Sequence, residues 1–236
     1  MSEETKKEET KKEIKEGSEQ IKSEAKSTFN DAKESIKNVN FKNDAKVTSG
    51  YVTGLFKKPL KTIKEVANDA KNTKFKNALI LLIVWLFVVF ILSAKSAFSY
   101  TSWRLFGKDL LTVIKDLLAP VLGLAAISGT IFFMQKGAKK KSLTTIITTI
   151  TTAISPIICA NIITLLTLIS SEVTKITSPI NKFAIILSAV FTFFGAKALL
   201  NEEDDTKAMK KFIVIEAIYF AVYFVLTFLG IYIPTL

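Results

Sequence analysis

Histidine is missing from the 236 residues, cysteine occurs once, at Cys159, and arginine once, at Arg104. Without histidine, and with a single thiol, neither a zinc site of the ordinary Cys/His kind nor an intrachain disulfide is available. The lone arginine removes nearly all of the planar forks that read guanine or grip phosphate, so the net charge of +11 does not point to nucleic acid. No positioned acid, base, nucleophile or metal set is visible either. The expectation is a chain that is not an enzyme and carries no cofactor.

What the sequence has in quantity is apolar run. Ala78 to Ala94 reads ALILLIVWLFVVFILSA, free of charge and starting just after Lys71, Lys74, Lys76 and Asn77. With a few flanking residues such a helix reaches the ~30 Å of a bilayer hydrocarbon core. The mean hydropathy of +0.34 averages a hydrophilic first third with a strongly apolar remainder. Five spans are expected, at about 78–94, 117–135, 143–170, 183–200 and 212–233. The fold class is therefore all-α, a polytopic helical membrane protein with about five transmembrane helices behind a charged N-terminal tail. The threonine-rich stretch TTIITTITTAIS is assigned to helix as well, because backbone groups in lipid must pair within their own segment or within a closed barrel.

Charge sets the expected orientation. Residues 1–50 hold eleven lysines and eleven acids, which cancel, so the whole excess lies in 51–236. Seven lysines lie from Lys57 to Lys76, four from Lys136 to Lys141 and three from Lys207 to Lys211. The alternate connections carry Lys95, Arg104, Lys108 and Lys115, then Lys175 and Lys182. By the positive-inside rule the tail is cytoplasmic and the C-terminus extracytoplasmic, in the plasma membrane. No signal-peptide apolar region stands near the start, so 78–94 reads as an uncleaved anchor. Tyr100 and Trp103 fit the boundary beyond it.

Three regions precede or compose the membrane part. Residues 1–50 form an ampholyte tail, disordered or loosely helical, with a thin stripe of Ile14, Ile21, Ala25, Ala32, Ile36 and Val39. Residues 51–76 form a basic amphipathic helix and linker. There Phe56, Lys57, Lys58, Lys61 and Lys64 would sit at the membrane surface, with Pro59 in the first turn, where its missing N–H costs nothing. The other reading is a linker helix packed on the rest of the protein. Residues 77–236 form the five-helix domain. Expected partners are the bilayer with its anionic headgroups and a protein docking through residues 1–72, with self-association left open.

Polar residues inside the spans supply the remaining candidates. Lys197 and Glu216 would both lie ~5–6 Å deep at one membrane face, and a pair between them is one reading. Independent edge residues and a transport site are the others. In the third span Pro156 cannot donate to the Thr152 carbonyl, so a Ser or Thr side chain would satisfy it. The neighbouring threonines either bond back to their own helix or line a substrate path. Asn161 is expected to hydrogen-bond a neighbouring helix. In the second span Ala125 and Gly129 form a small-xxx-small face suited to close helix approach. The acids Glu202 to Asp205 read as a solvated loop, since they lack the spacing and glycine of a calcium loop.

The stretch GYVTGLFKKPLKTIKEVANDAKNTKFKNALILLIVW resembles the approach to the first span in bacterial membrane proteins of the Yip-domain type and a neighbouring uncharacterised family. The resemblance covers roughly residues 50–236 and implies a membrane-organising or adaptor protein. Related bacterial chains often carry an N-terminal zinc ribbon, for which this chain has no cysteines. The small-GTPase partner of the eukaryotic relatives is not carried over, because no motif here matches it. The alternative is a small transporter or channel using the polar face of the third span and Glu216.

Overall fold

The structure is a computed structural model describing residues 3–39, 41–69, 71–98, 106–135 and 140–231. Among the described residues there is no strand. The helices are α1 (Glu3–Lys37), α2 (Phe41–Lys57), α3 (Pro59–Ala67), α4 (Phe75–Phe98), α5 (Phe106–Met134), α6 (Leu143–Ala153), α7 (Ser155–Thr164), α8 (Thr174–Leu199) and α9 (Asp205–Phe228). Four segments, Phe75–Phe98, Lys108–Met134, Ser171–Leu199 and Asp205–Phe228, are long and apolar enough to cross a membrane. The bent pair Leu143–Ala153 and Ser155–Leu168 makes a fifth if counted as one span. Tyr100, Trp103, Arg104 and the connection Lys136 to Lys139 lie outside the described residues.

The bundle is built around α6. Every residue of α6 except Ile147 is buried, because α1, α3, α4, α5 and α8 all pack against it. The outer helices show the reverse, with Phe87, Leu118, Phe183, Ile186, Phe220 and Phe224 exposed. A contiguous apolar exterior of this size is a liability in water and the normal outer surface of a bundle in lipid.

The third segment, too long at ~42 Å to cross the hydrocarbon straight, bends next to Pro156. Ile154 leaves the helical region (φ −86°, ψ 2°), Pro156 sits in the first turn of α7, and the two helix axes differ by 49°. Proline removes the N–H that would continue α6, and Ile154 closes it instead on the Ile150 carbonyl at 3.0 Å. The ~42 Å expected of an unbroken third span is thereby folded at its middle.

The other boundaries shift for local reasons. Helix α5 starts well before residue 117 and runs unbroken through Asp116 to Pro120, so that the apolar candidate span is Lys108–Met134. The fifth ends at Phe228 rather than 233. There Gly230 adopts φ +70°, with its N–H on the Thr227 carbonyl and the Ile231 N–H on the Leu226 carbonyl, both at 2.9 Å, the Schellman arrangement that closes a helix. Asp204 caps the start of α9 by accepting the N–H groups of Thr206 (2.8 Å) and Lys207 (3.2 Å).

The expected close approach at Ala125 and Gly129 is absent. A Cβ on Gly129 would meet nothing within 4 Å, and Ala125 is exposed. The tight crossing is at Gly195 on α8, where a Cβ would stand 3.3 Å from Thr149 Cγ2 and 4.0 Å from Ala153 Cβ of α6.

Candidate functional site

The end of the bundle that carries the N-terminal helices, called the tail side below, concentrates the basic and acidic side chains. There α2 and α3 form a hairpin whose inner face is packed, not laid flat on a surface: Leu55, Ile63, Val66 and Ala67 are at most 1% exposed. Leu55 and Ile63 cluster with Ala153 and Phe191. Lipid was the expected cover for that face, but protein supplies it for these four residues. Phe56 and Leu60 remain about half exposed, beside exposed Lys57, Lys58, Lys61 and Lys64 at the turn around Pro59. Lys64 and Lys197, with Glu202 and Glu203, also border a groove of about 590 Å³ whose apolar lining is Leu60, Phe194 and Ala198.

Two polar contacts fix α2 and the connection after α3 to α6. The Tyr51 hydroxyl meets that of Thr152, and burial pushes the Tyr51 phenol up to about 12. The Thr145 hydroxyl donates to Asn72 Oδ1 (2.9 Å), with Asn72 in the left-handed region at φ 53°. Neither Tyr51 nor Asn72 was singled out from sequence, since a single polar residue leaves no periodic signal.

Helix α1 docks on the same end through polar groups rather than through its isoleucine and alanine stripe. Glu24 Oε2 accepts the Leu143 N–H at 3.3 Å, and Thr28 shares a 3.1 Å hydrogen bond with Thr144. Asp31 accepts from Thr144 at 3.4 Å. Two carboxylates thus face the start of α6, where unpaired N–H groups and the helix dipole favour negative charge. Ile21 packs at the core, while Ala25 and Ile36 are exposed.

Lys197 and Glu216 are not paired. Lys197 Nζ bonds Asp205 Oδ1 at the start of α9, about three turns before Glu216. Glu202 pairs with Lys211 at 2.6 Å, and the Lys211 ammonium holds the Glu202 carboxyl below its usual range. Three of the four acids expected to be a free loop are therefore employed: Glu202 and Asp205 in ion pairs and Asp204 as a cap. Glu216 stands apart, its Oε1 buried without a hydrogen-bond partner in a cleft lined by Phe212, Ile213, Tyr219, Phe220 and Tyr223.

Three threonines of α6 bond back to their own helix. Thr148, Thr149 and Thr152 donate to the carbonyls of Thr144, Thr145 and Thr148 at 2.7, 2.8 and 2.6 Å. Thr152 therefore does not satisfy its own carbonyl, the role expected of a side chain beside Pro156.

At the opposite end, Asn161 makes no hydrogen bond among the described residues, whereas Asn181 of α8 bonds Thr164 at 3.0 Å. Asn161 instead lines a cleft of about 320 Å³ with Ser93, Ser96, Asp116 and Pro120. Ser93 donates to Asp116 Oδ2 at 2.5 Å. Asp116 escaped the sequence reading because the second span was begun one residue after it. No group of three His, Cys, Asp or Glu residues suited to a metal occurs among the described residues. Comparison with protein-family models, curated proteins and solved structures finds no match to this chain.

Proposed function

We propose that this chain is a multi-pass membrane protein of Yip-like type that acts without catalysis, as an adaptor or membrane organiser. Its tail helices lie on the cytoplasmic face of the plasma membrane, and five crossings put the C-terminus on the other side. The observation that carries the reading is the tail-side platform. Helices α1 to α3 are seated on the bundle and present Phe56, Leu60 and four lysines outward. An apolar pair beside exposed lysines suits the boundary of an anionic leaflet, where each lysine contributes ~1 kcal/mol.

The transport alternative draws less support from the geometry. Thr148, Thr149 and Thr152 of α6 bond back to their own helix, and Glu216 lies on a different helix, away from Asn161. Site-directed photocrosslinking from α1 and α2 in intact cells should capture a protein through residues 1–72. Solute or ion flux in reconstituted vesicles, abolished by Glu216→Ala and Asn161→Ala with no partner captured, would overturn the adaptor reading.

A further inference from the structure

Asp116 is a carboxylate inside a span that no described lysine or arginine neutralises. Its one described side-chain partner is the Ser93 hydroxyl, on α4. Asp116 lies within the candidate span Lys108–Met134, where an unpaired ionised group is costly, so what neutralises it is a physical question about the fold. The surroundings answer with oxygens rather than with a cation. Pro120 lies inside α5 four residues later and has no N–H to give the Asp116 carbonyl. Asn161 brings an uncommitted amide from α7, and Ser96 a hydroxyl from the last turn of α4. Val89 and Ala119 contribute apolar wall.

One carboxylate among neutral oxygens balances a single positive charge. A calcium ion takes six to eight oxygens and usually several carboxylates, and no acid triad exists among the described residues. Backbone carbonyls freed by helix interruptions serve as sodium ligands in membrane bundles. Pro120, inside the unbroken α5, leaves one such carbonyl, that of Asp116, at this end of the molecule. A cleft of about 320 Å³ exceeds one ion and leaves room for water to complete the shell.

We propose that the cleft between α4, α5 and α7 binds one alkali cation of sodium size, held by Asp116, the Ser93 hydroxyl and the Asn161 amide oxygen. The site ties three helices together through the ion and does not rest on the adaptor reading.

The test is equilibrium binding of radioactive sodium to the full-length protein, purified in choline chloride. Saturable binding is expected in the wild type and in Glu216→Gln, abolished in Asp116→Asn and weakened at least about tenfold in Asn161→Ala. Sodium should also raise the thermal midpoint of the wild type by about 3–5 °C over choline at equal ionic strength, but leave that of Asp116→Asn unchanged. Should Asp116→Asn fail to fold, the Asn161→Ala affinity decides. No saturable binding in the wild type, undiminished binding in Asn161→Ala, or loss in Glu216→Gln would each overturn the proposal.

Discussion

The phenol of Tyr51 in α2 meets the hydroxyl of Thr152 on α6, 101 residues later in the chain. Thr152 gives its own proton to the Thr148 carbonyl, so its lone pairs are left to accept from Tyr51. That one contact joins the tail-side hairpin to the central helix near the Ile154 break.

Replacing Tyr51 by Phe should cost about 1 kcal/mol, because Thr152 keeps its bond to Thr148 and is not orphaned. The pH dependence is more diagnostic. Burial raises the folded phenol to about 12, against about 10 unfolded, so the unfolded state loses the proton first. The wild type keeps this contribution below about pH 10 and loses about 2–3 kcal/mol of it between about 10 and 12. Denaturant titrations from pH 8 to 12 should show this component in the wild type and its absence in Tyr51→Phe.

The glycines Gly195 and Gly129 should respond oppositely. At Gly195 a methyl already stands 3.3 Å from Thr149, so Gly195→Val forces α8 from α6 and should cost about 1–3 kcal/mol. At Gly129 nothing lies within 4 Å, and Gly129→Ala should stabilise α5 by several tenths of a kcal/mol. Thermal unfolding of the two variants in one detergent checks the contrast.

Charge swaps should separate Asp205 from Glu216 as the partner of Lys197. The Asp205 carboxylate is 83% exposed, so losing the pair costs about 0.2–1 kcal/mol. Lys197→Asp with Asp205→Lys should recover that loss, whereas Lys197→Glu with Glu216→Lys should recover nothing. Glu216→Leu removes a buried oxygen without a partner and should be neutral or stabilising. A loss of folded protein in Glu216→Leu would show that the carboxylate supports the fold through a partner.

The outward pair Phe56 and Leu60 should enter the leaflet. A fluorophore at Phe56→Cys, in a background with Cys159→Ala, should be quenched by brominated acyl chains. Lys57→Glu with Lys58→Glu should reduce quenching in vesicles containing phosphatidylserine, and raising salt in the wild type should do the same. Equal quenching in neutral vesicles would exclude a role for the lysines.

The run from Ala78 to Ala94, and the other apolar runs like it, determined by themselves that the described chain is helical with several segments long and apolar enough to cross a bilayer. A charge-free stretch in lipid can pair its backbone only within itself, and that is a local property. The absence of histidine and the single cysteine likewise decided which metal chemistry was unavailable. Tertiary structure decided the partnerships: Lys197 with Asp205, Tyr51 with Thr152, Glu24 with the start of α6, and Asn161 beside Asp116 rather than bonded to a neighbour. It also placed Ile63, Val66 and Ala67 under protein and not lipid. Each residue turns a helix by about 100°, so a polar side chain's partner depends on how two helices are rotated and shifted against each other. Apolar surfaces that fit lipid and protein equally well carry no mark of which one covers them.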